Sequence, residues 1–138
     1  MQPPPPQARR RKILIVDDNP VILQTLSVKL KSSGYDVATA QEGSLAIAAV
    51  GSEEPDLILL DISFPPEVSG VPWDGFAIME WLDRVYDGIN IPVIIITSGD
   101  PAKYKDRAMA AGASGFFQKP IDPDELLSTI NAILSRKR

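Results

Sequence analysis

Asp17, Asp18, Asp61, Thr97 and Lys119 stand at the ends of short β-branched and aliphatic runs. The runs read Ile13-Leu14-Ile15-Val16-Asp17-Asp18, Leu57-Ile58-Leu59-Leu60-Asp61 and Val93-Ile94-Ile95-Ile96-Thr97, while Gly115-Phe116-Phe117 leads into Lys119-Pro120. If the runs are parallel strands, three carboxylates, a hydroxyl and an ammonium meet at one rim of a sheet. Clustered carboxylates repel one another and stay ionised together only when a cation offsets them. Mg²⁺ suits such a place, because it prefers oxygen ligands and bridges carboxylates to phosphate oxygens. Lysine offers a point charge and threonine a hydrogen bond to a phosphoryl group. The set therefore fits phosphoryl transfer to a carboxylate, where positioning and charge neutralisation do most of the catalysis. Asp61 ends the central run and is the best nucleophile.

Taken singly, each residue has a plainer use. Asp18 could cap a helix, Thr97 could be a buried β-branched residue, and Lys119 could be a surface cation. Their common placement at strand ends favours the site.

The elements that must position them alternate. Strands are predicted at Ile13 to Val16, Asp36 to Thr39, Asp56 to Leu60, Pro92 to Thr97 and Gly115 to Phe117. The first, third and fourth are nearly continuous apolar runs, as strands buried on both faces require, and the more polar second belongs at an edge. Between them lie segments of helical period. Ile22, Leu26 and Leu30 mark the first helix, closed by Gly34, and Ala46 to Val50 a short second one. Phe76, Met79 and Leu82 line a third, Ala102 to Ala111 form a fourth ending at Gly112, and Leu126, Leu127, Ile130, Ile133 and Leu134 stripe a fifth. Asp122 or Asp124 is placed to cap the fifth. The pattern is that of an α/β domain with a doubly wound parallel sheet. Residues 63–74, with Pro65, Pro66, Gly70 and Pro72, read as an extended loop.

Composition narrows the chemistry. A chain of 138 residues has room for one domain, expected over residues 12–138, behind a Pro/Arg-rich tail of residues 1–11. The apolar runs are too short to span a membrane, and the first residues lack the apolar stretch of a secretory signal, so a cytoplasmic protein is expected. With no cysteine and no histidine, thiolate catalysis, Ser-His-Asp chemistry and most zinc sites are excluded. A formal charge of -4 argues against a nucleic-acid-binding surface, and the basic residues at both ends read as solvated termini.

The motifs quoted above, with Asp74-Gly75-Phe76, Ile91-Pro92 and Ala111-Gly112-Ala113, occur in an order that resembles the receiver domains of two-component response regulators. The resemblance covers about Lys12 to Ser135. It implies a flavodoxin-like sheet of order 2-1-3-4-5 with five helices. It also implies that Asp61 is phosphorylated, that Asp17, Asp18 and the backbone carbonyl of Ser63 hold Mg²⁺, and that Lys119, before a cis Lys119-Pro120 bond, contacts the phosphoryl group. Thr97 and Phe116 would form the switch. The donor would be a histidine kinase or histidine phosphotransfer protein. Output would pass to a protein partner or effector domain through the fourth helix, fifth strand and fifth helix, and two copies could pair through the fourth and fifth helices.

Two features depart from the family pattern: Ser98 stands where alanine is usual, and the loop from Asp61 to Gly75 is several residues longer than the usual spacing; Phe116 matches the aromatic switch position but lacks the hydroxyl found where tyrosine serves. That loop carries Phe64, Val68, Val71 and Trp73, and reads as evenly for a functional segment, either lid or partner contact, as for a tolerated excursion. Competing functions are a phosphorylation-independent adaptor, which the intact site residues oppose, and a Mg²⁺-dependent phosphatase, which the Ser63 hydroxyl in place of an acid opposes. A flavin-binding module lacks its phosphate-cradling loop after the first strand.

Overall fold

The computed structural model describes residues 10–62, 75–85 and 91–136. In chain order it contains β1 (Lys12–Val16), α1 (Pro20–Ser32), β2 (Asp36–Ala40), α2 (Gly43–Glu53), β3 (Leu57–Asp61), α3 (Gly75–Val85), β4 (Val93–Thr97), α4 (Pro101–Ala110), β5 (Gly115–Gln118) and α5 (Pro123–Arg136). The strands pair in parallel in the order β2-β1-β3-β4-β5. β2 lies at an edge, as its polarity predicts, and every residue of β3 and β4 is buried.

Alternation along the strands divides the core into two layers. Leu14, Val16, Ile58, Leu60 and Ile95 pack on one face with Ala46 and Val50 of α2, Ile78 of α3 and Ala108 of α4. Ile13, Ile15, Leu59, Ile94 and Ile96 pack on the other with α1 and α5. The α1 stripe is Leu23, Leu26 and Leu30, with Ile22 only half-buried at its flank. Spacing of three and then four residues follows the helical period more closely than the strict fourth-residue pattern read from the sequence. Two cross-links join α1 and the turn that follows it to α5: Lys29 Nζ lies 2.8 Å from Asp124 Oδ1, and the Tyr35 hydroxyl donates to Asn131.

Helix ends follow local chemistry. Asn19 caps α1 by accepting from the Val21 N–H at 2.9 Å, with Pro20 in the first turn. Gly34 and Gly112 take φ of 98° and 99°, and the residue after each donates back to the carbonyl of Leu30 or Ala108, closing α1 and α4 in Schellman turns. Asp122, not Asp124, caps α5, accepting from the Asp124 N–H at 3.0 Å, which leaves the Asp124 carboxylate for Lys29. The second helix runs well beyond Ala46 to Val50 at both ends. Its flanks hold Gly43, Gly51 and Ser52, which have weak helix propensity, so tertiary packing and not local preference extends it. α4 begins one residue before the expected Ala102, because Asp100 caps it and Pro101 opens it.

Candidate functional site

Because all five strands run one way, the carboxyl ends of β1, β3, β4 and β5 share a rim, and the residues singled out by their positions meet there. Asp17 is fully buried, Asp61 is 2% exposed and Thr97 is fully buried, whereas Asp18 faces solvent. Carboxylate oxygens of Asp17, Asp18 and Asp61 lie within 4.8 Å of one another. The cap of α1 is Asn19, so Asp18 is not spent on that role.

Hydrogen bonds fix the two buried acids. Asp17 Oδ1 accepts from the Asn19 N–H at 2.9 Å, its Oδ2 accepts from Lys119 Nζ at 2.6 Å, and its own N–H donates to the Ala40 carbonyl at 3.1 Å. Lys119 Nζ reaches Asp61 Oδ2 only at 3.3 Å, beyond the usual length of a charge-assisted bond, so the ammonium belongs mainly to Asp17. The Lys119 N–H donates to the Thr97 carbonyl at 2.8 Å, which couples the lysine to the end of β4, and the Lys119–Pro120 peptide is cis. Burial works to lower the Lys119 pKa, but the hydrogen bond to Asp17 and the charges of Asp61 and Asp17 outweigh it and raise the pKa above its ordinary value.

Among the described residues one ammonium faces three carboxylates, a balance of charge that suits a hard divalent cation with oxygen ligands. No buried side-chain polar atom among the described residues lacks a partner. Thr97 Oγ1 accepts from the Gly99 N–H at 3.0 Å. Phe116 is half-buried against the core layer of Ile95 and Ala108, beside Ile95 in the sheet register. Ser63 and the loop residues Phe64, Val68, Val71 and Trp73 lie outside the described residues.

Two neighbours were not expected from sequence. A Cβ built on Gly99 would lie 2.6 Å from the Tyr104 ring and 3.3 Å from Thr97 Oγ1, so the ring of an α4 residue closes over the turn that follows β4. On the same helix, the Arg107 guanidinium sits 3.9 Å from the centroid of the Phe76 ring, a cation–π contact between α4 and α3. The Ser98-Gly99-Asp100-Pro101 stretch signals a turn and a cap, but nothing local reports which ring covers the glycine.

The response regulator receiver domain family model matches residues 13–131. Protein PilH of Pseudomonas aeruginosa is 36% identical over 119 residues, covering 86% of this chain and 93% of that protein. The DNA-binding dual master transcriptional regulator RpaA of Synechocystis sp. is 34% identical over 120 residues, covering 87% of this chain and 47% of that one. The chain thus spans about half the length of this and several other curated relatives. The chemotaxis response regulator CheY4 of Vibrio cholerae superposes with a TM-score of 0.77 at 30% identity, over 91% of this chain and 99% of that one. The chain belongs to the response regulator receiver domain family. Its role is that of a phosphoacceptor in two-component signalling, and its acidic cluster is compatible with Mg²⁺ and aspartyl phosphorylation.

Proposed function

We propose that Asp61 is the phosphoacceptor, that Asp17, Asp18, Asp61 and the carbonyl of Ser63 hold Mg²⁺, and that Lys119 and Thr97 receive the phosphoryl oxygens. The observation that carries this reading is the convergence of three carboxylates and one ammonium at the strand ends, with Asp61 held more loosely by the lysine than Asp17. Mg²⁺ bound there supplies charge neutralisation for the transferring group. The Asp61 carboxylate attacks the phosphorus of a phosphohistidine on a histidine kinase or phosphotransfer protein, the P–N bond breaks, and the imidazole departs with the electron pair. Lys119 then exchanges its carboxylate contacts for a phosphoryl oxygen, and the Thr97 hydroxyl donates to another.

The chemistry acts on the chain's own aspartate and not on a released substrate. Thr97 and Phe116 report the new state to the α4–β5–α5 side, where a protein partner, an effector domain or a second copy of the chain reads it. A cytoplasmic location goes with this role, and among the described residues no helix is long and apolar enough to cross a membrane.

The test is incubation of the protein with Mg²⁺ and acetyl phosphate, followed by intact-mass measurement. One phosphoryl group, labile to hydroxylamine, is expected on the parent and none on Asp61→Asn. A parent that takes up no phosphoryl group would favour the adaptor, and continuous release of phosphate from other esters would favour a hydrolase.

A further inference from the structure

We infer that Tyr104 is a positioning residue whose ring, seated on Gly99 beside the Thr97 hydroxyl, ties the placement of α4 to the state of the phosphoacceptor site. The inference rests on the assignment of Asp61 and Thr97 above.

The contact is closer than a side chain at residue 99 allows. A Cβ there would meet Tyr104 Cε2 at 2.6 Å and Cδ2 at 2.8 Å, with Thr97 Oγ1 at 3.3 Å. The absent side chain is therefore what lets the aromatic ring and the threonine hydroxyl flank the same backbone atom. Gly99 also donates its N–H to Thr97 Oγ1 at 3.0 Å, so the hydroxyl is bonded to the same residue on which the ring sits.

Displacement at Thr97 has a short route into the helix. When Thr97 turns its hydroxyl toward a phosphoryl oxygen on Asp61, the bond from the Gly99 amide either pulls Gly99 along or breaks. In both cases the surface beneath the ring changes. Asp100, the next residue, caps α4: its side chain accepts from the Ala102 N–H at 3.0 Å, and its carbonyl accepts from the Lys103 and Tyr104 N–H groups at 3.0 and 3.2 Å. The ring thus grips the turn from one side while the cap joins it to the helix from the other. Tyr104 packs on the same core layer as Phe116, so α4 has its own aromatic reporter in addition to the one on β5. Arg107, one turn further along, carries the helix's contact with Phe76 of α3, which a shift of α4 must loosen.

The ring and not the hydroxyl performs this role, which makes Tyr104→Phe the conservative control. Backbone amide spectra of the protein with Mg²⁺, with and without beryllofluoride, read the coupling, while phosphoryl uptake from acetyl phosphate is measured on the same samples. In the parent and in Tyr104→Phe, beryllofluoride shifts the amides of both the β4–α4 turn and α4. In Tyr104→Ala, uptake and the turn shifts persist while the α4 shifts fall about threefold. Gly99→Ala approaches the contact from below: its methyl expels the ring, so the α4 amides move toward their beryllofluoride positions without any ligand. Undiminished α4 shifts in Tyr104→Ala with normal uptake, or unmoved α4 amides in Gly99→Ala, would overturn the inference alone. A parent that takes up neither phosphoryl group nor beryllofluoride would overturn the assignment of Asp61, and this inference with it.

Discussion

Lys119 bonds Asp17 at 2.6 Å and Asp61 at 3.3 Å, and this inequality determines what its removal does. Lys119→Met removes the ammonium that contacts both buried carboxylates, which is expected to cost about 3 kcal/mol in metal-free buffer. Mg²⁺ should restore more stability to this variant than to the parent, since the ion then replaces the lost charge. Urea unfolding with Mg²⁺ and with EDTA checks both statements; equal Mg²⁺ responses would show that ion and ammonium do not share the carboxylates. The pH dependence has a definite sign. Because the folded-state pKa is raised, the lysine's contribution is complete below its ordinary value of 10.5 and is lost as pH rises through the raised one. The five site residues were legible because each ends or closely follows a recognisable strand, so chain position alone brings them to one rim. Gly99 and Tyr104 were not, since a ring closing over a glycine five positions away leaves no periodic mark.

Elements are governed by their ends. Gly112 is left-handed, and a Cβ there meets nothing within 4 Å, so Gly112→Ala is expected to cost about 1–2 kcal/mol from backbone strain alone. Glu54, after α2, takes φ 49° without being glycine. Glu54→Gly removes a similar strain of roughly 1–2 kcal/mol and gives back roughly 0.5–1 kcal/mol as greater freedom of the unfolded chain. It should therefore stabilise by up to about 1.5 kcal/mol. Opposite shifts in urea midpoint at unchanged slope would bear out the pair, and a slope change would point to the unfolded state instead. The strands and the glycine-closed ends of α1 and α4 were readable from β-branched runs and from glycine after a periodic stripe. The bounds of α2 were not, because its sequence offers no strong cap bond and its length comes from packing on β1 and β2.

At the scale of the whole molecule, strand alternation predicted a parallel sheet, but the neighbour order came from family resemblance. Apolar runs show that strands are central without saying beside which partner. A ligand that binds only the folded chain stabilises it, and at a hundredfold excess over its Kd the gain is about 2.7 kcal/mol. Mg²⁺ is therefore expected to raise the melting temperature by several degrees, EDTA to reverse this, and Asp18→Asn to reduce it. An identical response in Asp18→Asn would remove that residue from the ligand set. The links of Lys29 to Asp124 and of Tyr35 to Asn131 join α1 and the turn after it to α5, on the sheet face opposite α4. None of Thr97, Phe116 and the α4 residues belongs to the layer beneath these links. A partner gripping only α1, away from the α4–β5–α5 side, is expected to hold the unmodified and phosphorylated chains with equal affinity, and so to anchor the protein without sensing its signal.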